Sequence, residues 1–407
     1  MPEYKLRPHQ KKAVEEYPDI WGIWWKPRTG KTFTVIRLAS SRTESCIVVV
    51  LKSLVEQWEE HVADWNDSDC KFKVISKETF RRDWEKLDRY ESVAIDESHI
   101  GFHNFKAQLH KAAISYIKKH NIKYIWLATA TPYTSSSFSI YSAGKLLRRN
   151  WSWYSWKKRF FNNIRMGTRF IPVQKKGIED ELAVIINRIG STLSLSDISE
   201  QSEDEHIKEY FDLNIEQKRA IKDAFDPLPI VMFSAYHQIE NGTKLSDGYN
   251  EDRIFKCEKT NRLIELVGSY DKIAIVARYN LQLNNYKKEI LIKYPDKSVY
   301  IINGATKNKN EIIKQIEKDK ECVVLLNSMC SAGYSLSSID TMVFTSMDFS
   351  FVNFEQISQR VKNLNKNKSC TYIYLLTRKT KDYKSVDQRI YDCVMDKKDF
   401  DYKIFNT

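Results

Sequence analysis

The chain has 407 residues, a formal net charge of +12 at pH 7, and hydrophobic and aromatic contents of 42% and 13%. These values exclude a disordered chain and allow two or three domains with substantial cores. No run approaches the roughly 18 apolar residues of a membrane span, and the polar start MPEYKLRPHQ does not resemble a signal peptide. We therefore expect a cytoplasmic protein with no membrane partner. Its seven cysteines form no CxxC pair, which predicts reduced thiols in the core.

Short β-rich runs alternate with helix-like segments in both halves of the chain. In the first half we predict buried strands at WGIWWK, CIVVVL, SVAIDE and YIWLATAT. In the second half we predict them at IAIVAR, SVYIIN, CVVLLNS, TMVFTSM and TYIYLLT, with helices near 259–268, 280–293, 309–319, 353–363 and 384–395. This alternation predicts an α/β fold with two parallel-sheet lobes, at 1–134 and 256–407. Residues 135–255 have no such runs and are predicted to be a helical or irregular basic segment and linker.

Two short motifs predict nucleotide hydrolysis. The segment KPRTGKT, here called the Lys31 loop (residues 26–32), and the segment IDESH at 95–99 each follow a predicted strand. A triphosphate site needs backbone N–H groups and a Lys for the phosphates, a hydroxyl and a carboxylate for Mg²⁺, and a second carboxylate for the attacking water. These parts occur in chain order as Lys31, Thr32, Asp96 and Glu97. Trp25 replaces the first Gly of the full GxxxxGK[ST] pattern, so the loop by itself also fits a simple strand-to-helix turn.

The charge of the chain is unevenly distributed. Residues 98–178, here called the basic block, contain no Asp or Glu and fifteen Lys and Arg, which gives them a charge of +15. The rest of the chain then sums to −3. A block of one sign is typical of a surface that binds a polyanion, because each phosphate neutralised releases condensed counterions. The alternative is a solvated basic surface without a partner.

Further motifs occur in a fixed order along the chain. In the first lobe they are LRPHQ at 6–10, LKSLVEQW at 51–58, ISKETF at 75–80 and TATP at 129–132. In the second lobe they are KIAIVARYNLQLNNYKKEI, IINGAT at 301–306, SMCSAGYSL at 328–336 and FEQISQRVKN at 354–363. The series resembles the ATP-dependent helicases and translocases of superfamily 2, and within them the compact Swi/Snf-like branch that many bacteriophages and large viruses encode. The resemblance implies two tandem RecA-like lobes with a helical insert between them.

The resemblance also implies roles for individual residues. Lys31, Asp96, Glu97 and Arg360 would be catalytic, with Arg360 acting as an arginine finger across the cleft between the lobes. Thr32 and Asp96 would hold Mg²⁺. ATP would contact Arg7, Gln10, Arg28, Thr29, Gly30, Lys31, Thr32 and Gly333. Nucleic acid would contact Lys52, Ser53, Thr129, Thr131, Lys157, Lys158, Arg159 and Ser331.

The sequence departs from the family pattern at the last motif. Gln356 and Arg360 match the family's Gln and first arginine, but Asn363 stands where a second arginine is expected. Nearby lysines cannot reproduce the planar fork of a guanidinium, so this departure predicts slower or conditional hydrolysis.

The segment WSWYSWKKRFF at 151–161 has two interpretations. Its three Trp rings could form a stacking platform for unpaired bases, but the resemblance favours packing of the rings on the first lobe, with the cations facing nucleic acid. Among the histidines, His99 is expected to bond across the lobe interface rather than to bind a metal. His103 and His110 are expected at the surface.

Together these observations predict an ATP-driven motor that acts on double-stranded DNA in replication, recombination or repair, in the host cytoplasm if the protein is viral. Its cofactors would be ATP and Mg²⁺, and it would be a monomer that meets replication or recombination proteins. One alternative is an RNA-directed helicase of the same superfamily, and single-stranded DNA is another candidate substrate. A second alternative is an ATP-gated nucleic-acid clamp with little turnover, which Asn363 suggests.

Overall fold

The computed structural model describes residues 5–133, 136–166, 169–194, 197–198, 204–224, 226–246, 251–330, 334–362 and 369–396. The chain divides into two compact units, here called unit 1 (Met1–Ser199) and unit 2 (Glu200–Thr407). Each unit has one six-stranded sheet. None of the helices in the described ranges is both long enough and apolar enough to span a bilayer.

Unit 1 is built on a parallel sheet. The strands of unit 1 are β1 Ile20–Trp25, β2 Ser45–Val50, β3 Lys71–Ser76, β4 Ser92–Ile95, β5 Tyr124–Ala128, β6 Phe161–Met166, β7 Arg169–Gln174 and β8 Gly190–Leu193. Of these, β6 and β7 form a separate antiparallel hairpin. The sheet order is β3-β2-β4-β5-β1-β8, and every neighbouring pair is parallel. The helices are α1 Pro8–Glu16, α2 Lys31–Arg42, α3 Val55–Trp65, α4 Lys77–Asp83, α5 Gln108–Lys119, α6 Phe138–Leu146, α7 Trp153–Phe160 and α8 Glu179–Ile189.

Both faces of the unit 1 sheet are covered by apolar side chains. In β2, Ile47 and Val49 belong to one buried cluster, whereas Val48 and Val50 belong to another. Successive side chains of a strand point to opposite faces, so a strand that is buried on both faces needs apolar residues at every position. This requirement explains the continuous apolar run CIVVVL.

Unit 2 repeats this architecture. Its strands are β9 Glu205–Phe211, β10 Thr243–Lys244, β11 Arg253–Ile254, β12 Lys272–Ala277, β13 Ser298–Ile302, β14 Cys322–Asn327, β15 Thr341–Phe344 and β16 Thr371–Thr377. The parallel sheet has the order β13-β14-β12-β15-β16-β9, and β10 and β11 form a separate pair. The helices are α9 Ile215–Asp223, α10 Pro229–Glu240, α11 Glu258–Ser269, α12 Asn280–Lys293, α13 Lys309–Lys318, α14 Phe351–Ser358 and α15 Val386–Met395.

The predicted α/β fold with two tandem RecA-like parallel-sheet lobes is confirmed, and helices α6 to α10 lie in the segment between the predicted lobes. The prediction that residues 135–255 lack strands is wrong, because β6 to β11 all fall there. Among them, β8 and β9 complete the two sheets as edge strands. An edge strand is only partly buried and keeps polar residues, so it gives no apolar run. The seven cysteines are free thiols and five are buried, as predicted.

Candidate functional site

The predicted nucleotide residues meet at one edge of the unit 1 sheet. In this sheet β5 lies between β1 and β4. Because neighbouring strands are parallel, their carboxyl ends meet at the same edge, here called the carboxyl edge. The Lys31 loop follows β1, Asp96 and Glu97 follow β4, and the TATP segment follows β5. The fold therefore brings together three segments that are far apart in sequence.

The Lys31 loop leads directly into α2. Gly30 caps this helix in the left-handed conformation, with φ 84°, and a Cβ at this position would lie 2.3 Å from Nε2 of Gln10. Glycine is therefore favoured by the backbone angle, and a larger residue would also displace the Gln10 amide. The Lys31 ammonium donates to the carbonyls of Trp25 at 2.7 Å and Lys26 at 3.1 Å. Thr32 lies in the first turn of α2, where free backbone N–H groups favour an anion.

The LRPHQ motif lies against this loop. The side-chain amide of the buried Gln10 donates to the carbonyl of Gly30 at 3.3 Å and accepts from the backbone N–H of Arg7 at 2.9 Å. The ring nitrogen Nε2 of His9 is 2.9 Å from the carbonyl oxygen of Thr29. The predicted neighbourhood of Gln10 and the loop is thus present, while His9 was not predicted to take part. Arg28 also lies in the loop, with an unusual φ of 67°.

Asp96 is held by two hydrogen bonds in a buried position. Its Oδ2 accepts from Nε1 of Trp58 at 2.9 Å, and its Oδ1 accepts from the backbone N–H of Glu97 at 2.9 Å. Burial and then the charge of Glu97 raise the pKa of Asp96, and the charge of Lys31 acts in the opposite direction. A divalent cation here would likewise favour the ionised carboxylate. A carboxylate and a hydroxyl are oxygen ligands that suit Mg²⁺, so Asp96 and Thr32 fit the predicted metal.

One carboxylate oxygen of Glu97 accepts no hydrogen bond from the described residues. Its Oε2 is buried, has no hydrogen-bond partner among the described residues, and lies 3.4 Å from Nδ1 of His99. Its backbone adopts a φ of 43°, which is uncommon for a residue other than glycine. The carbonyl of Glu97 accepts from the Lys77 ammonium at 2.7 Å. The backbone is thereby fixed while the carboxylate retains a free acceptor.

His99 connects the acidic segment to the TATP segment within unit 1. Its Nδ1 lies 2.7 Å from the hydroxyl of Thr129, which accepts from the backbone N–H of Thr131 at 3.1 Å. Burial lowers the pKa of His99 to about 3, so the ring is neutral at physiological pH. The sequence predicted a bond across the lobe interface, whereas the observed partner belongs to the same unit.

Lys77 and Trp58 are contacts of the acidic pair that the sequence did not predict. Lys77 is the first residue of α4, and burial lowers the pKa of its ammonium to about 8. This ammonium donates to the carbonyls of Glu97 and, at 3.1 Å, of Ile100. Both residues stand inside quoted motifs, ISKETF and LKSLVEQW. The sequence signal that could have revealed them is their position after a predicted strand. Lys77 directly follows β3, and Trp58 lies in the first α-helix after β2.

The prediction that His103 and His110 lie at the surface is wrong, because both are buried. The Nε2 of His103 is 3.1 Å from the hydroxyl of Ser98, and Nδ1 of His110 is 2.6 Å from the carbonyl of Phe102. Burial lowers the pKa of each histidine below its usual value. The rings are therefore polar core residues that brace the segment after the acidic pair.

The predicted nucleic-acid contacts differ in exposure. Lys52 and Ser53 are exposed just after β2, at the carboxyl edge, whereas Thr129 and Thr131 are buried. In α7, Lys158 is exposed, Lys157 is half-buried, and Arg159 pairs with Glu181 of α8. Ser331 and Gly333 lie outside the described residues.

The three Trp rings of residues 151–161 pack on the core, as the resemblance favoured. Trp156 is buried and stacks on Trp151 with ring centroids 4.9 Å apart. Trp153 contacts Phe105 and Tyr141 at 5.1 Å. These rings are committed to packing in unit 1, which argues against the alternative of a base-stacking platform.

In unit 2, Arg360 follows α14 and bonds to neighbouring backbone. Its Nη1 donates to the carbonyl of Tyr334 at 2.9 Å, and its Nε donates to the carbonyl of Gln356 at 3.1 Å. Gln356 itself is buried. Two predicted motifs of this unit are thus adjacent. Asn363 lies outside the described residues.

The fold and site define a two-unit α/β chain with the Lys31 loop and an acidic pair at one edge of a parallel sheet. No protein-family model and no curated protein matches the chain. Among solved structures, it is similar to the Sulfolobus solfataricus SWI2/SNF2 ATPase core in complex with dsDNA, at 17% sequence identity over 97% of this chain and 91% of that chain, with a TM-score of 0.43.

Proposed function

We propose that this chain is an ATP-dependent translocase or helicase that acts on double-stranded DNA in replication, recombination or repair. The observation that supports ATP hydrolysis is the position of the Lys31 loop and the acidic pair at one carboxyl edge, with β5 between their strands. A phosphate-binding lysine and two carboxylates with different surroundings are the parts that phosphoryl transfer needs.

Each residue of the site has a distinct role in this proposal. Lys31 and the N–H groups at the start of α2 bind the phosphates, and Gln10 recognises the adenine edge with Arg7, Arg28 and Thr29 nearby. Thr32 and Asp96 would hold Mg²⁺, and the cation would supply positive charge that favours phosphoryl transfer. Because Trp58 and the backbone of Glu97 fix both oxygens of Asp96, the metal ligand is already oriented.

Glu97 orients and deprotonates the attacking water. The support for this role is its Oε2, which no hydrogen-bond donor among the described residues occupies. Lys77 restrains the backbone of Glu97, and the neutral His99 links it to Thr129. Arg360 supplies positive charge to the transferred phosphoryl group, and Gly333 contacts the nucleotide.

The polymer substrate is supported by charge. The basic block has a charge of +15 and begins at Ser98, directly after the acidic pair. Its exposed cations, together with Lys52, Ser53 and Ser331, would contact the phosphate backbone. Protein partners from replication or recombination and a monomeric state complete the proposal.

The Glu97→Gln variant tests the hydrolytic mechanism. Replacing the carboxylate by an amide removes the base but preserves the shape, so ATP turnover should be lost while fluorescent-ATP binding is retained. Glu85→Gln is the control, because Glu85 is an exposed residue of the same unit. Normal turnover by Glu97→Gln would contradict the assignment.

The substrate is tested by measuring ATPase rates with no polymer, duplex DNA, single-stranded DNA and RNA. Strongest stimulation by duplex DNA supports the proposal, and strongest stimulation by RNA supports the RNA-directed alternative. Tight DNA binding with uniformly near-zero rates would support the ATP-gated clamp that Asn363 suggests.

A further inference from the structure

A cavity of about 960 Å³ lies between α5 and α6 of unit 1 and is here called the α5–α6 pocket. Lys111, Ile114, Ser115 and Lys118 line it at the spacing of one helix face. Opposite them lie Tyr141 and Lys145 of α6 and the residues after this helix. Its volume is in the range of pockets that bind sizeable ligands.

The α5–α6 pocket is lined by cations and has no carboxylate in its lining. The cations are Lys111, Lys118, Lys145, Arg148 and Arg149. None of the five forms an ion pair with a carboxylate in the described parts of the chain. Surface cations usually have acidic residues nearby, and uncompensated like charges repel one another. An anionic ligand would relieve this repulsion.

Arg149 provides a second indication of a ligand. Its Nε atom is buried and has no hydrogen-bond partner among the described residues. A buried donor that is left unpaired destabilises the folded chain. Arg149 also lines the pocket, where the terminal nitrogens of its guanidinium can donate to a ligand oxygen.

The spacing of the cations in the α5–α6 pocket, and the apolar surface between them, favour a chain of phosphates as the ligand. Lys111 and Lys118 are seven residues apart on α5, or about 10 Å along the helix axis, so successive phosphates of one chain could contact both. Phe105, Ile114 and Tyr141 add apolar surface between the cations. This combination suits a backbone in which charged phosphates alternate with less polar sugars.

The pocket extends away from the carboxyl edge. Lys118 and Asn121 precede the first residue of β5, and Arg148 and Asn150 follow the end of α6. One end of the pocket therefore lies near the amino end of β5, whereas the Lys31 loop and Lys52 follow the carboxyl ends of their strands. A ligand in the pocket would occupy a different part of unit 1.

We propose that the α5–α6 pocket binds the phosphate backbone of a nucleic acid, as a site separate from the carboxyl-edge segments. This inference rests on the proposed nucleic-acid function and adds to it a second point of attachment on unit 1. A site of this kind would keep unit 1 on the polymer while contacts at the carboxyl edge change during ATP turnover.

The test compares two charge-matched double variants by fluorescence anisotropy with labelled duplex DNA, single-stranded DNA and duplex DNA with a single-stranded tail. Lys118→Gln with Arg148→Gln removes two exposed pocket cations, and Lys71→Gln with Lys73→Gln removes two exposed cations of β3. Thermal unfolding establishes that both variants are folded. The pocket variant should lose about tenfold in affinity for at least one probe, and its salt slope should fall by about 2. The β3 variant should change affinity less than twofold.

The outcomes separate this inference from the proposed function. If the wild type binds none of the probes, the proposed function fails. If the wild type binds but the two variants behave alike, the pocket site is overturned while the function stands. Inorganic tripolyphosphate provides a further arm: if it raises the unfolding temperature of the wild type but not of the pocket variant, and DNA affinities are equal, the pocket binds a soluble polyphosphate and the inference is overturned.

Discussion

At the scale of single residues, Trp58 determines how Asp96 is presented. Its indole is the side-chain donor to Oδ2, and the opposite oxygen is bound by backbone. If Asp96 holds Mg²⁺ as proposed, Trp58→Phe should weaken the apparent Mg²⁺ affinity in ATPase assays by about tenfold, the size of effect seen when partners of metal ligands are removed. Magnesium titrations at saturating ATP would measure the change. Trp21→Phe is the matched control, because the indole nitrogen of Trp21 has no hydrogen-bond partner among the described residues. This variant should leave the magnesium titration unchanged.

His103 makes the stability of unit 1 sensitive to acid. Burial holds the pKa of its ring well below the usual histidine value of 6.5. Below pH 6.5 the unfolded chain therefore binds a proton that the folded chain does not, and the free energy of unfolding falls as pH falls. His103→Gln should be less stable than the wild type at pH 8 but lose less stability between pH 8 and pH 5. Urea unfolding at these pH values measures both, and parallel losses would contradict the assignment.

The candidate site was predictable from sequence only in part. The meeting of Lys31, Thr32, Asp96 and Glu97 at one edge could be predicted because residues that follow neighbouring parallel strands lie at the same edge of the sheet, and the strands were visible as apolar runs. The hydrogen bonds of Trp58 to Asp96 and of Lys77 to Glu97 join residues 38 and 20 positions apart. Such contacts depend on the order of strands in the sheet, which a single sequence does not specify.

At the scale of elements, a buried ion pair joins α11 to α15 in unit 2. The ammonium of Lys259 donates to Oδ2 of Asp387 and, at 3.0 Å, to the amide oxygen of Asn241. Burial opposes the charge on Asp387, but Lys259 and His237 outweigh it and hold the pKa of this carboxyl below its usual range. His237 lies on α10 and Asn241 directly follows this helix. The helices α10, α11 and α15 therefore meet at one charged cluster in the core.

Breaking this pair should destabilise unit 2 strongly. Asp387→Asn and Lys259→Met should each lower the free energy of unfolding by about 3–5 kcal/mol, because each leaves a buried charge without its partner. The double variant should lose less than the sum of the single losses, since it removes both charges. Denaturant unfolding of the four proteins gives the coupling energy. Additive losses would show that the pair does not act as a unit.

The strands also differ in how well the sequence predicted them. Central strands such as β12 and β14 are buried along almost their whole length, so their apolar residues are continuous. Among the described strands, the edge strand β9, with the sequence EHIKEYF, pairs with β16 alone, and it has no buried residue. Its pairing is set by main-chain hydrogen bonds, which place few demands on side chains, and composition therefore could not reveal it.

At the scale of the whole molecule, the position of charge should matter more than its total. The basic block has a charge of +15, while the chain as a whole has +12. If the block faces the polymer, removing two of its cations should weaken DNA binding more than removing two cations elsewhere, although both changes leave the same net charge. The suitable pair in the block is Lys157 and Lys158 of α7, because neither residue lines the α5–α6 pocket.

Lys157→Gln with Lys158→Gln should therefore lower duplex DNA affinity several-fold and reduce the slope of log affinity against log salt by about 2, because each lost phosphate contact removes nearly one unit. Lys287→Gln with Lys288→Gln, on α12 of unit 2, is the charge-matched control and should change the slope by much less. Anisotropy titrations at about 50, 100 and 200 mM salt provide the slopes, because affinity that depends on phosphate contacts falls steeply over this range. Equal slopes for the two variants would mean that net charge alone governs binding and that the basic block has no special part in it.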